Sequence, residues 1–359
     1  MVTIADKYAQ LKAAGFVPVP DLPVIEIPLP DFAGRFFTFA STIGPVTIYW
    51  HAATGAHEVY GAILAAYLAQ GGPQGALGYP VSGEYDTLVG NGAGGLKAIG
   101  RTSDFQRGLI SWDRASGQTT VSLTGPVVVG ADFEQVIGID VSTYQGQIDW
   151  TKVATQGTSD GEVAGFAYIR ATHDDAGTDH RFTANWAASA GHLPRGAYHY
   201  FRAHGQPDQM RGQVDHFINT LQAAGGPGEL PPMVDIESLP AGVSAAQASA
   251  SLQFFLSLLE QAFGVRPLIY TYPSFWNHNM ANSMAFSATY KLWIAHYGPQ
   301  TADGGAAPRS TAPQLVGGWN QFALWQNAVK KGVGGITGLV DRNVAFVPAG
   351  RSLRDWLTN

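Results

Sequence analysis

Pro231-Pro232-Met233-Val234-Asp235-Ile236-Glu237 is a short apolar run punctuated by two acids, and its length and composition suit a buried β-strand better than a helix. Comparable runs recur downstream of residue 135, at 136–141, 165–171, 196–201, 232–237, 267–272, 291–296, 322–327 and 340–346. Helical stretches separate most of them, with a period of roughly thirty residues, as expected of strand–helix–strand units. Apolar strands alternating with helices predict parallel strands buried on both faces, and eight such units predict a barrel closed on itself. The clearest helix begins at Ser244-Ala245-Ala246-Gln247, a capping box. It places Leu252, Phe255, Leu256, Leu259 and Phe263 on one face and stops at Gly264. Between the last strands the connections are Gly-rich, at 303–305, 317–318 and 332–335, with little helical periodicity. The fold class is therefore α/β: a TIM-like (β/α) barrel of eight strands with missing or short helices on the last strands.

The whole chain has 359 residues, net charge −6, 13% charged residues, 44 Gly, 21 Pro and no Cys. That length exceeds one ordinary domain, so a barrel plus an appendage is expected. Mild acidity argues against a general phosphate-backbone binder. The absence of Cys removes thiol nucleophiles, Cys-zinc sites and iron–sulfur clusters, leaving hydroxyl, carboxylate and His chemistry. No stretch reaches the ~18 uninterrupted apolar residues of a membrane-spanning helix, and the first thirty or so residues do not read as a secretory leader. Prolines 18, 20, 23, 28 and 30 suggest that residues 1–32 form an extended arm.

Composition shifts at 124–135, which places a boundary between an N-terminal region, 1–130, and a second domain, 131–359. Upstream of it, Ile48-Tyr49-Trp50-His51-Ala52-Ala53-Thr54-Gly55-Ala56-His57-Glu58-Val59 aligns at constant offset with Ile110-Ser111-Trp112-Asp113-Arg114-Ala115-Ser116-Gly117-Gln118-Thr119-Thr120-Val121. Each copy reads as a strand and a Gly-containing turn, with the Ile and Trp on one face, so a small repeat domain rich in β-strands and turns is expected. A short helical stretch at 61–70 and Leu77-Gly78-Tyr79-Pro80 complete the pattern. With Gly55-Ala56-His57-Glu58-Val59-Tyr60-Gly61, they resemble the LGFP repeat of actinobacterial cell-wall proteins, Tyr79 standing where that name has Phe. The resemblance implies a module that attaches an enzyme to a cell envelope.

In a parallel barrel the reactive end is where the strands finish. Asp140 ends the first strand, Asp235 and Glu237 end the fourth, and Asp341 lies in the last. Asp235 and Glu237 are one residue apart and share a strand face, about 7 Å apart at the backbone. Two carboxyl groups in a poorly solvated site cannot both ionise easily, so one holds its proton as a general acid must. Glu237, with the longer reach, is the candidate acid, and Asp235 and Asp140 supply charge or orientation, the two-carboxylate logic of glycosidic cleavage. An isolated D-x-E is also what any half-exposed strand carries; the apolar residues around this one favour chemistry. A sugar cleft needs flat apolar surfaces. Tyr168 and Arg170, Tyr198 and Tyr200, Tyr270 and Tyr272, then Trp293, Tyr297, Trp325 and Gln326 are placed to supply them.

Gly138-Ile139-Asp140-Val141-Ser142-Thr143-Tyr144-Gln145-Gly146-Gln147-Ile148-Asp149-Trp150 resembles the opening motif of glycoside hydrolase family 25, the peptidoglycan lysozymes. In order follow Tyr168-Ile169-Arg170-Ala171-Thr172, Gly196-Ala197-Tyr198-His199-Tyr200-Phe201, Asp235-Ile236-Glu237, Leu292-Trp293-Ile294-Ala295-His296-Tyr297, Leu324-Trp325-Gln326 and Val340-Asp341-Arg342-Asn343. The resemblance implies an N-acetylmuramidase that hydrolyses the β-1,4 bond between N-acetylmuramic acid and N-acetylglucosamine. It makes Glu237 the proton donor and Asp235 the residue that orients the 2-acetamido group or the intermediate. Asp140 and Asp341 complete the acidic floor. Tyr168, Arg170, Tyr198, Tyr200, Tyr272, Trp293, Tyr297, Trp325 and Gln326 are the implied substrate contacts. A covalent second step and an acetamido-assisted one both remain open, the D-x-E spacing suiting the latter.

The segment His173-Asp174-Asp175-Ala176-Gly177-Thr178-Asp179 departs from the family's acidic turn by starting in His. With His180 it could be offered as a metal cluster, but it lacks regular ligand spacing. No cofactor and no metal are expected. The expected partner is peptidoglycan, with other envelope polysaccharide held through the N-terminal domain; nucleic acid and membrane insertion are not expected, and a monomer is. Rivals are a chitinase-like hydrolase, disfavoured because Met233 stands where its motif needs Asp, and an inactive wall-carbohydrate-binding protein. A phage endolysin acting from the host cytoplasm on the wall and a secreted bacterial enzyme both fit.

Overall fold

The computed structural model describes residues 1–21, 23–29, 33–124, 133–158, 160–309 and 311–358. The boundary expected near residue 130 and most of the segment around it lie outside the described residues. The chain starts with a helix, α1 (Ile4–Ala13), not an extended arm. Thr3 and Asp6 form a reciprocal capping box, and Ile4, Tyr8 and Leu11 recur at helical spacing. Tyr8 lies edge-on to Phe37 and Phe39, so burial of this stripe, rather than the later prolines, decides the conformation of the first residues.

Two four-stranded antiparallel sheets follow. The first comprises β1 (Ile27–Pro28), β2 (Gly34–Ser41), β3 (Gly44–His51) and β4 (Gly55–Tyr60), and α2 (Gly61–Ala69) leaves its last strand. The second comprises β5 (Tyr85–Gly90), β6 (Leu96–Phe105), β7 (Gly108–Asp113) and β8 (Thr119–Leu123). The repeat seen in the sequence is thus structural, since β3–β4 and β7–β8 are equivalent hairpins. Ile48 packs beside Trp50 in one and Ile110 beside Trp112 in the other. Tyr67 of α2 packs between the sheets against Tyr49 and Phe105, and its hydroxyl donates to the Gly78 carbonyl at 2.7 Å.

The barrel contains β9 (Phe133–Val141), β10 (Phe166–His173), a two-residue partner strand β11 (Gly177–Thr178), β12 (Arg195–Tyr200), β13 (Met233–Asp235), β14 (Leu268–Thr271), β15 (Lys291–Ala295), β16 (Leu324–Lys331) and β17 (Leu339–Pro348). It closes in the order β9-β10-β12-β13-β14-β15-β16-β17-β9. Helices α3 (Trp150–Gln156), α4 (Phe182–Ser189), α5 (Arg211–Ala223), α6 (Ala245–Phe263) and α7 (Pro273–Asn279) accompany the first five strands, and α8 (Leu353–Thr358) ends the chain. Among the described residues no helix follows β15 or β16. The capping box at Ser244 opens α6, and Gly264, at φ +67°, closes it in the left-handed region.

One expectation fails: β17 runs antiparallel to both neighbours, β16 and β9, where a parallel strand was expected. Only residues 332–338 separate β16 from β17, enough for a hairpin but not for the crossover a parallel strand needs. Inside the barrel, glycines make room for aromatic rings. A Cβ on Gly138 would fall 2.3 Å from the Phe166 ring, and one on Gly196 would fall 2.4 Å from that of Tyr168.

The second repeat sheet is docked on the barrel by a buried ion pair between Asp104 of β6 and Arg309. Arg309 also donates to the Tyr85 hydroxyl at 2.9 Å, which in turn donates to Asp104 Oδ2 at 2.8 Å. Arg309→Ala would strand the Asp104 carboxylate in a dry interface, so a loss of about 3–5 kcal/mol is expected in chemical denaturation. A loss below about 1 kcal/mol would mean that this pair does not hold the two parts together.

Candidate active site

At the end of the barrel where β9, β10 and β12 through β16 finish, a cleft of about 450 Å³ opens. Its walls include Asp140, Asp235, Glu237 and Asp341 together with Arg170, Tyr198, Tyr200, Tyr270, Tyr297 and Gln326. Strand alternation explains the set. Tyr198 and Tyr200 on β12, Met233 and Asp235 on β13, and Gln326 on β16 all point inward at successive heights. Because β17 is reversed, its beginning lies at this same mouth, and Asp341 sits directly opposite Asp140.

Asp140 is the most firmly held of the acids. Gln326 and Asn343 each donate a side-chain amide hydrogen to its Oδ2 at 2.7 Å. Both amides are themselves oriented: the Gln326 oxygen accepts from the hydroxyls of Tyr270 and Tyr297, and the Asn343 oxygen accepts from Trp293 Nε1 at 2.9 Å. Burial pushes the Asp140 carboxyl up to about 6, with these two donors pulling the other way.

Glu237 lies two residues beyond Asp235, just after β13 ends, and is half-buried. Burial raises it to about 7, opposed by the ammonium of Lys97 and the guanidinium of Arg170 and reinforced by Asp140. Asp235 and Asp341 are pushed well above the carboxylate range, first by burial and then by the other acids. Asp235 Oδ1 is buried without a hydrogen-bond partner. Lys97 and Arg170 are the cations that bear on this cluster; the Arg170 Nε donates to Asp179 Oδ2 at 2.8 Å, and the same oxygen accepts from Thr143 N at 2.9 Å. A site with this many buried acids and one guanidinium holds protons at neutral pH that isolated carboxyl groups would have released.

Several expected contacts sit elsewhere. Tyr168 lies one layer below Arg170, fully buried, with its ring 4.7 Å from that of Trp293 and its hydroxyl donating to the Pro231 carbonyl. Trp293 is likewise under the floor, where it acts through Asn343. Trp325 points the other way from Gln326, into the layer between barrel and helices, and donates to the His296 carbonyl. Tyr272 follows the end of β14 and lines a neighbouring cavity with Leu88 and Trp112, and its hydroxyl donates at 3.4 Å to the Glu237 carbonyl. Of the departing segment, His173 and Asp174 line the cleft, while Asp175 pairs with His204.

Tyr270, one of the aromatics placed to face a sugar, and several residues the sequence did not single out also matter here. Tyr270 and Asn343 fix the Asp140 network, Asp179 positions Arg170, and Gly90, Gly92, Gly94, Gly95 and Leu96 of the second repeat sheet line the cleft. Tyr270 and Asn343 carry the alternation and motif signals of their strands, and Asp179 ends the segment that starts at His173. Nothing local in the glycine-rich hairpin announces its place.

A family model for the glycosyl hydrolases family 25 matches residues 139–336, and one for the LGFP repeat matches residues 23–75. Lysozyme M1 of Streptomyces globisporus is 34% identical over an alignment covering 59% of this chain and 68% of that protein. An N,O-diacetylmuramidase of Chalaropsis sp is 30% identical, covering 58% of this chain and 95% of that one. The spore cortex lytic enzyme SleM of Clostridium perfringens shares the fold at TM-score 0.51 and 23% identity, over 59% of this chain and 67% of that chain.

A carboxyl whose pKa is higher folded than unfolded costs stability as pH rises from the unfolded value through the folded one. For Glu237 that window runs from about 4.5 to about 7. Glu237→Gln is therefore expected to raise the thermal midpoint by a few degrees at pH 8, for a relief on the order of 1–3 kcal/mol after allowing for partial exposure. The gain should vanish at pH 4. Equal gains at both pH values would contradict the burial of a charge at this position.

Proposed function

The chain belongs to the glycosyl hydrolases of family 25, and we propose that its cleft runs an acetamido-assisted cleavage with Glu237 as the general acid. The protein is a peptidoglycan hydrolase of the muramidase type, cutting the β-1,4 bond between N-acetylmuramic acid and N-acetylglucosamine. The observation that carries the mechanism is the pairing of a half-buried Glu237, raised to about 7, with a buried Asp235 whose Oδ1 has no partner. A bare buried carboxylate oxygen is costly until a donor reaches it. The N–H of a substrate 2-acetamido group is such a donor. Accepting it would favour ionised Asp235 and leave the shared proton on Glu237.

In that arrangement Glu237 protonates the glycosidic oxygen as the bond to the anomeric carbon breaks, and the acetamido carbonyl oxygen, aligned by Asp235, attacks that carbon. Water then opens the ring so formed while Glu237, now ionised, takes its proton back. Asp140, held in place by Gln326 and Asn343, lies where positive charge develops on the sugar ring and stabilises it. Tyr198, Tyr200 and Tyr297 supply the faces against which pyranose rings lie. The LGFP repeat of the N-terminal region supports envelope attachment as its role, with wall polysaccharide as the material gripped. Both a phage lysin and a secreted bacterial enzyme would use such a grip.

Purified peptidoglycan treated with the wild type should release fragments with reducing N-acetylmuramic acid ends, identified by mass spectrometry, and Glu237→Gln should release none. Unchanged release by that variant would move the acid to another residue, and no release by either would leave a wall-binding protein. Because the acid must enter protonated, kcat/KM should fall as pH rises through about 7.

A further inference from the structure

The hairpin between β5 and β6 belongs to the repeat domain, yet it reaches the catalytic cleft. Gly90, Gly92, Gly94, Gly95 and Leu96 form part of the same wall as Asp140, Tyr144 and Glu237. Its base is fixed: Leu88 is buried in the cluster that fills the barrel's interior, with Tyr198, Tyr270 and Trp293, and Leu96 and Ala98 pack against it. Its tip is ordered from within, since Asn91 Oδ1 accepts from the backbone N–H groups of Ala93 at 2.8 Å and Gly95 at 3.0 Å. It is also latched to the barrel. The Tyr144 hydroxyl donates to the Gly92 carbonyl, and Gly94 approaches so closely that a Cβ there would lie 2.7 Å from Tyr144 Cβ. The Tyr144 ring in turn covers the Arg170 guanidinium, 5.2 Å away, so the contact runs from the hairpin to the cation facing the acids.

Behind this hairpin stands the buried Asp104–Arg309 pair, which ties the sheet to the barrel. A tethered attachment module has no need of such an interface, nor of glycines that bring bare backbone to a catalytic wall. The Gly92 and Gly94 N–H groups, which make no hydrogen bond among the described residues, stand beside an apolar Leu96, and such a surface is what a sugar ring meets well, since its hydroxyls need directed partners and its faces do not.

Resting on the muramidase reading, we propose that the β5–β6 hairpin is a substrate-binding wall, through which the repeat domain holds sugar residues of the glycan strand next to the cleavage point. Lys97 adds a favourable charge on the same hairpin. It is exposed, and among the described residues no hydrogen bond or ion pair engages its ammonium, whose positive charge favours the ionised form of Glu237. It is available for the carboxylates that peptidoglycan strands carry.

The test is calorimetric binding of soluble N-acetylglucosamine–N-acetylmuramic acid oligosaccharides of increasing length to the full chain carrying Glu237→Gln. Two forms are compared with it, one with the Asn91–Gly95 loop shortened to a two-residue turn and one with Leu96→Ser, which leaves the hairpin intact if the shortened form fails to fold. The expected result, in forms shown by circular dichroism to remain folded at the assay temperature, is a Kd raised roughly three- to tenfold for long oligosaccharides and unchanged for the shortest that binds. Unchanged Kd values at every length overturn the proposal. So does tighter binding to the shortened form, which would make the hairpin an obstruction. A wild type that cleaves peptidoglycan while the Kd values stay level defeats this inference alone, whereas a wild type that neither cleaves nor binds defeats the muramidase reading with it.

Discussion

The gathering of Asp140, Asp235, Glu237 and Asp341, two of them buried and two half-buried, around one barrel mouth is the constraint on which the rest of the structure depends. Like charges at close range in a poorly solvated cleft cannot all be present at neutral pH, and a fold that gathers them forgoes stability to do so. What makes the gathering tolerable is the asymmetry of support. Asp140 receives two oriented amide donors, Asp235 keeps an oxygen bare, and Glu237 stands half-open to the cleft. Those differences separate the roles of chemically similar groups more than sequence position does.

The support reaches deep into the barrel. Trp293 holds Asn343, Tyr270 and Tyr297 hold Gln326, and the two amides hold Asp140, so the floor is a chain of oriented groups rather than a set of independent contacts. The reversed last strand is part of the same design. A strand entering from the opposite direction presents its beginning, Asp341 and Asn343, where the parallel strands present their ends. The glycines at 138 and 196 let Phe166 and Tyr168 fill the layer beneath, which keeps the mouth from collapsing inward.

Much of this was legible from residues alone. Eight apolar runs of strand length became the eight barrel strands, the Ser244 capping box and Gly264 bounded the longest helix, and the D-x-E spacing brought Asp235 and Glu237 to one cleft. Alternation tells which face a side chain takes but not its height along the barrel. Tyr168 and Trp293 thus share a face with Arg170 and Tyr297 yet lie a layer too deep for a substrate, and Trp325 takes the opposite face. Strand direction was hidden because an apolar run reads the same both ways; only the short 332–338 connection spoke for a hairpin. The prolines near the N-terminus outweighed the Ile4, Tyr8 and Leu11 stripe that makes α1. The β5–β6 hairpin was the least visible element, because its place at the cleft follows from docking through Asp104 and Arg309, residues more than two hundred positions apart.

Glu237 keeps its proton near neutral pH because of where the fold puts it. Its carboxyl carbon can be followed directly by NMR titration of protein labelled with ¹³C at glutamate side chains, with the resonance assigned by its loss in Glu237→Gln. The expected apparent midpoint is near 7, well above that of exposed glutamates. A midpoint at the ordinary glutamate value of about 4.3 would contradict it, because the acid would then enter the reaction already ionised.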